Sequence, residues 1–237
     1  MKIQALDWTM GEVGNVFIGL KGGECMIDWG DGHTSVIQAH PREVYPQYVS
    51  HVYPSNCKSS GDIFDVVISS TEDNIVFLNT GCIDMAILEL DISLCPELER
   101  LHLTGPVRKI NTSCNKSLKE LSIHDAYEMI LDLTQNQDLE QLEIRGYDKE
   151  RLDLSKCDKL WYLDCGSSRM KEIAISNNSV LKEVIFWDHC PLNERSMRFI
   201  NKVLALNILC ILVGSSFSFH ITNCRVKSYF QTGSYTV

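Results

Sequence analysis

Asp28 and Asp31 stand close together in the run Ile27-Asp28-Trp29-Gly30-Asp31-Gly32. Two carboxylates at that spacing offer two chemistries, general acid–base catalysis or oxygen ligands for a calcium ion. A plainer role competes. Asp31-Gly32 is a tight-turn signal, and Asp28 can hold a neighbouring backbone N–H. No third acidic ligand is evident beside them. The turn is therefore the expected role, and a hydrolase site around Asp28 and Asp31 is an alternative. A second set of residues suits recognition rather than bond-making: His102, His124, Arg145, Tyr162, Asp164, Glu183 and Trp187. Tyr, Trp and Arg carry most of the energy in binding hot spots. G-x-S-x-G, P-loop, H-E-x-x-H and dinucleotide glycine motifs are missing, so the chain is read as non-enzymatic and without a cofactor. The ten cysteines include no CxxC pair and no His/Cys cluster at ligand spacing. No metal site is expected from that pattern.

The second set is positioned by a repeat. Five segments share one template, φ-x-φ-[ST]-x-[NC]-x-x-φ-x-x-φ-x-φ, and their first apolar residues are Leu90, Ile110, Leu131, Leu152 and Ile173. The steps are therefore 20, 21, 21 and 21 residues. A fixed period in this range, with Leu columns and an Asn/Cys column, is the pattern of a leucine-rich repeat solenoid. In the fourth copy Leu163-x-Cys165 alternates, which predicts a short strand buried on one face. Stacked over the copies, such strands form a parallel sheet lining the concave side. The Leu152-Asp153-Leu154-Ser155 stretch gives a second extended limb.

On the concave sheet three columns flank the leucines: Arg100, Glu120, Gln141, Tyr162, Glu183; then His102, Ser122, Glu143, Asp164, Ile185; then Thr104, His124, Arg145, Gly166, Trp187. They are expected to be exposed, with His102, His124 and Arg145 as a locally basic strip. The competing reading is a solvated sheet face. The Asn/Cys column is Cys95, Asn115, Asn136, Cys157 and Asn178. A buried Asn there satisfies turn backbone, and Cys fits as a small residue. Cys95 and Cys157 lie three coils apart, beyond disulfide reach. The hydroxyl column Ser93, Ser113, Thr134, Ser155 and Ser176 is expected to satisfy coil backbones rather than to bind a repetitive solid.

These copies resemble bacterial leucine-rich repeat proteins, the internalin-like ones included, over about residues 76–190. The resemblance implies a binding scaffold for a protein or glycan partner and brings no catalytic residue with it.

The first 74 residues lack the repeat. Short apolar runs (Val16-Phe17-Ile18, Cys25-Met26-Ile27, Val36-Ile37, Phe64 to Ile68) alternate with turn residues, as in a β-sandwich. The Trp29-Gly30-Asp31-Gly32 turn, His51-Val52-Tyr53 and the strand near Val66 resemble the immunoglobulin-like PKD domain over about residues 14–70. The Pro-rich loop from His40 to Pro54 departs from that compact pattern. At the other end Asn193 is a candidate helix N-cap, Met197, Ile200, Val203 and Leu204 share a helical face, and Asn207 is a stop. Ile208 to Val213 reads as a strand, and Tyr229 to Val237 closes the chain. The expected class is mainly β with some α: a sandwich over 1–74, a solenoid over 75–190 and an α/β cap over 191–237. Ser69 to Asn74 is too short for a free linker, so a fixed junction is expected.

Net charge is −9. Nucleic-acid binding, which needs a basic face, is disfavoured. The longest apolar stretch, Ile208 to Val213, falls far short of the ~20 residues of a membrane span. The first residues lack the apolar core of a signal peptide. That points to the cytoplasm, with the cell surface or secretion as the alternative if a leader is missing. The functional expectation is non-catalytic binding of a protein partner, with glycan adhesion as a rival. The acidic total favours a partner with basic patches.

Overall fold

The computed structural model describes residues 2–6, 13–40, 46–53, 63–70, 72, 74–80, 86–104, 107–127, 129–176, 180–185, 191–207, 219–222 and 225–228. Trp187, Asn178, the Ile208 to Val213 stretch and the closing Tyr229 to Val237 lie outside the described residues, as do the side chains of Val203 and Leu204.

The N-terminal strands are β1 (Lys2–Leu6), β2 (Val13–Leu20), β3 (Glu24–Asp28), β4 (Thr34–Gln38), β5 (Gln47–Val52), β6 (Ile63–Ser70), β7 (Ile75–Asn79) and β8 (Ala86–Asp91). The repeats supply β9 (Arg100–Leu103), β10 (Glu120–Ile123), β11 (Gln141–Ile144), β12 (Arg151–Leu154), β13 (Tyr162–Asp164), β14 (Glu172–Ile175) and β15 (Glu183–Ile185). Helix α1 (Glu194–Asn207) follows, then β16 (Phe219–Thr222) and β17 (Arg225–Ser228), which pair antiparallel.

One sheet has the order β4-β3-β6-β1-β8 and is antiparallel throughout. The other runs β15-β13-β11-β10-β9-β7-β2-β5. It is parallel from β15 to β7 and antiparallel from β7 through β2 to β5. Both sheets lead into the repeats. In the second, β7 sets Leu78 beside Leu101. In the first, β8 bridges the next coil through Ile87–Val107 and Leu90–Ile110. A stack of coils would otherwise end on bare apolar side chains. Here each limb of the first coil is covered by a sheet from the N-terminal segment. Ser70 and Asn74 are bonded to each other, and Asn74 to the residues just after β2. Ser70 Oγ donates to Asn74 Oδ1 at 2.6 Å, Asn74 Nδ2 donates to the Gly22 carbonyl, and the Lys21 N–H donates to the Asn74 carbonyl at 2.9 Å.

Inside the coils the chemistry repeats. Leu98, Leu118, Leu139, Leu160 and Leu181 form a column that is fully buried. Each such leucine contributes about 1.5–3 kcal/mol of burial. The corner is a pair of i→i+3 turns, seen as Cys95 N–H to Ile92 O and Leu98 N–H to Cys95 O, and recurring in the next three coils. At the Asn/Cys column Asn115 Nδ2 donates to the carbonyls of Ile92 (3.0 Å) and Cys95 (2.7 Å), one coil back. Asn136 repeats this onto Thr112 (3.1 Å) and Asn115 (2.9 Å), and its Oδ1 accepts from the Thr112 hydroxyl at 2.8 Å. Cys157 takes the same place with a long contact from Sγ to the Leu133 carbonyl, 3.9 Å. The Cys95 and Cys157 side chains are both buried.

The hydroxyl column behaves differently from its expected role. The residue two positions earlier is Asp91, Asn111, Asp132 or Asp153, and its Oδ1 accepts from the backbone N–H of Ser93, Ser113, Thr134 or Ser155 at 2.9–3.0 Å. The Thr134 hydroxyl itself turns to Asp132 at 2.7 Å, and Ser176 Oγ to Asp158. The side-chain amide or carboxylate, a stronger acceptor than a hydroxyl, takes the backbone donor in an Asx-type turn.

Helix α1 starts as expected. Asn193 Oδ1 accepts from the Ser196 N–H at 2.9 Å, three residues on. Ile200 is buried on its inner face. Ser196 Oγ accepts from the Ile173 N–H at 3.1 Å, tying the helix to β14.

Candidate recognition surface

Two of the three columns align in the strand pairings. β9, β10, β11, β13 and β15 align Arg100, Glu120, Gln141, Tyr162 and Glu183, and beside them His102, Ser122, Glu143, Asp164 and Ile185. Four described members are buried instead of exposed: Asp164, Glu183, Ile185 and Gly166. Asp164 is 1% accessible and Glu183 8%. His102, His124, Arg145 and Tyr162 are half-buried, and Trp187 lies outside the described residues.

The expected basic strip is instead charge-paired. His102 Nε2 lies 2.7 Å from Glu120 Oε1. His124 Nε2 lies 3.0 Å from Glu143 Oε1, which Arg145 also reaches at 2.6 Å. The Ser122 hydroxyl donates to Glu143 Oε2 at 3.1 Å. Arg145 donates on to Asp164 Oδ2 at 3.0 Å, and Asp164 Oδ1 accepts the Gly166 N–H at 2.8 Å. Arg145 thus lies across Asp164 and explains its burial. A carboxylate from the next coil meets each base, because parallel strands put neighbouring coils about 4.8 Å apart, within one side chain's reach. The bond from His102 holds the Glu120 carboxyl below its ordinary value, against the opposing effect of burial. Burial, joined by the charges of Asp164, Glu143 and Glu183, pushes the Tyr162 phenol up to about 12. At the N-terminal end of the face the Arg100 guanidinium sits 4.9 Å from the Phe77 ring, and His102 meets the same ring edge-on at 5.4 Å. The surface is a lattice of cross-coil polar pairs fixed on a sheet.

Asp28 and Asp31 take separate partners. Asp28 Oδ1 accepts the Gly30 N–H at 3.0 Å, which is the turn role. Asp31 Oδ1 accepts the His33 N–H at 3.0 Å, but its Oδ2 lies 2.8 Å from His51 Nε2 and 3.2 Å from His33 Nδ1. Burial opposes the charge on Asp31, yet the bonds from His51 and from the His33 backbone hold its carboxyl below the ordinary value. Sequence spacing hid this group. His51 comes from β5 at the edge of one sheet, whereas Asp31 and His33 lie between β3 and β4 at the edge of the other. His51 was legible only as part of the His-x-Tyr motif. Asp31, His33 and His51 are the described residues able to hold a metal ion together.

Parallel coils of about 21 residues, a buried Leu column and a buried Asn/Cys column define a leucine-rich-repeat-like solenoid. No protein-family model matches the chain, and no curated protein matches it. A solved structure, the functional domain of InlJ from Listeria monocytogenes, described as including a cysteine ladder, is similar over 51% of this chain at 28% identity, with a TM-score of 0.42. The match covers 26% of that chain, so this chain spans about a quarter of its length.

Proposed function

We propose that the chain is a non-catalytic recognition protein that binds a protein partner on the concave sheet. The cross-coil lattice of His102, Glu120, Glu143, Arg145 and Asp164 carries this reading, because it fixes charged side chains before any partner arrives. Preorganised groups lose little conformational entropy on binding. The net charge of −9 favours a partner presenting Lys or Arg. We read residues 1–74 as a PKD-like unit, 75–190 as the solenoid and 191–237 as its cap. Contacts between the two N-terminal motifs support the first of these. The Tyr53 hydroxyl donates to the Trp29 carbonyl at 3.1 Å, and Trp29 stacks on His51 at 5.1 Å.

The test is affinity capture from source-cell lysate and surface extract, with the parent chain beside an Arg145→Glu, Tyr162→Ala variant. A partner kept by the parent and lost by the folded variant supports the concave site. Equal retention refutes it.

A further inference from the structure

We infer that Asp31, His33 and His51 form a binding site for a divalent transition-metal ion of the zinc class, joining the β4 edge of one sheet to the β5 edge of the other. The ligand atoms are already gathered. Asp31 Oδ2 lies 2.8 Å from His51 Nε2 and 3.2 Å from His33 Nδ1, and all three atoms fall within 4.8 Å of one another. A tetrahedral zinc ion with bonds of about 2.0–2.1 Å needs its ligand atoms about 3.3 Å apart. Two of the three edges are near that value, and the third closes by at most about 1.5 Å to reach it.

The residue that must move is free to do so. The His33 side chain is 61% exposed, whereas those of Asp31 and His51 are 0% and 12% exposed. His51 is clamped between Trp29, stacked at 5.1 Å, and Tyr53, edge-on at 4.8 Å. Asp31 is oriented by its other oxygen, which accepts the His33 N–H. Bonds of this kind, one shell out, fix metal-ligating groups in place. Two imidazoles and one carboxylate select zinc or a neighbouring transition metal over calcium and magnesium, which take all-oxygen sites. Three protein ligands leave a fourth position for water.

The site has a structural consequence. β4 and β5 are the outermost strands of their sheets on this side. A metal ion here bridges the β3–β4 turn to β5, so its binding free energy adds to the stability of the N-terminal segment.

The experiment is calorimetric titration of the metal-stripped chain with Zn²⁺, alongside thermal melts with Zn²⁺, Ca²⁺ and Mg²⁺. Uptake of one Zn²⁺ per chain, a rise in melting temperature with Zn²⁺ alone, and at least about tenfold weaker binding in His33→Ala are expected. His33→Ala is the informative variant because its exposed side chain can be lost without unfolding the chain. Asp31→Asn is a second one, keeping the turn acceptor while removing the charge. Absence of uptake overturns the inference, as does equal uptake by His33→Ala or an equal response to calcium.

Discussion

Replacing Asn136 by Ala tests the stacking that sets the concave register. Asn136 is fully buried and makes three bonds across a coil boundary, donating to the Thr112 and Asn115 carbonyls and accepting from the Thr112 hydroxyl. The cost is bounded by what the partners keep. The Thr112 carbonyl still accepts the Asn115 N–H, the Asn115 carbonyl still accepts the Leu118 N–H, and the Thr112 hydroxyl still reaches the Asp132 carbonyl at 3.2 Å. No partner is left bare, so each lost bond sits near the low end of the 1–3 kcal/mol range for a buried polar group. With the small cavity left behind, the expected loss is about 2–4 kcal/mol. Urea unfolding followed by circular dichroism reads it directly. Two companions sharpen the result. Asn136→Cys should cost less than Asn136→Ala, because Cys157 already fills this column. Thr112→Val should cost about 1 kcal/mol and couple to Asn136 in a double-mutant cycle. A loss below about 1 kcal/mol for Asn136→Ala would refute the ladder as a stabilising element. So would equal costs for Ala and Cys.

The Asx turns predict acid sensitivity. The hydroxyl and backbone N–H of Ser93 and Ser155 hold Asp91 and Asp153 below the ordinary value of 3.8, and the backbone N–H and hydroxyl of Thr134 do the same for Asp132. Carboxyls lowered on folding contribute stability that is fully present above 3.8 and lost as pH falls through their folded-state values. The urea midpoint should fall in that window, and less so in Asp132→Asn, which keeps the acceptor as Asn111 does. At neutral pH that variant should lie within about 0.5 kcal/mol of the parent. Thiol labelling should separate the described cysteines. Burial pushes Cys25 up to about 11 and Cys157 up to about 12, with help from nearby Cys95 and from Asp153 and Asp158 respectively, while Cys114 is exposed. Native alkylation near pH ~8, mapped by peptide mass spectrometry, should modify Cys114 and spare Cys25, Cys95, Cys157 and Cys165 until unfolding. Gly30→Ala should destabilise by about 1–3 kcal/mol by urea unfolding, because Gly30 has φ +82° and a Cβ there would lie 2.9 Å from the Asp65 backbone oxygen.

The solenoid was legible because its signal is periodic. A constant step fixes register, so the columns led by Arg100 and His102 align as the repeat predicts. The turn role of Asp28 and the N-cap role of Asn193 were legible too, since both are bonds within three residues. Pairings across coils were not. Burial of Asp164 follows from Arg145 of the preceding coil folding over it, and a column read singly carries no such information. Strand β5 escaped notice because it is an edge strand without a fully buried residue, so it shows no apolar face. The Asp31, His33 and His51 group escaped because its members lie on different sheets, where spacing along the chain says nothing of distance.

The measurement that bears most directly on the recognition reading is hydrogen–deuterium exchange of the chain alone and bound to the partner it captures. Slowed exchange centred on 100–104, 120–124, 141–145 and 162–166, with β12 and β14 unchanged, is the predicted footprint. Protection concentrated on β12, β14 or the N-terminal strands β1 to β6, with the concave strands β9, β10, β11 and β13 unchanged, would contradict it.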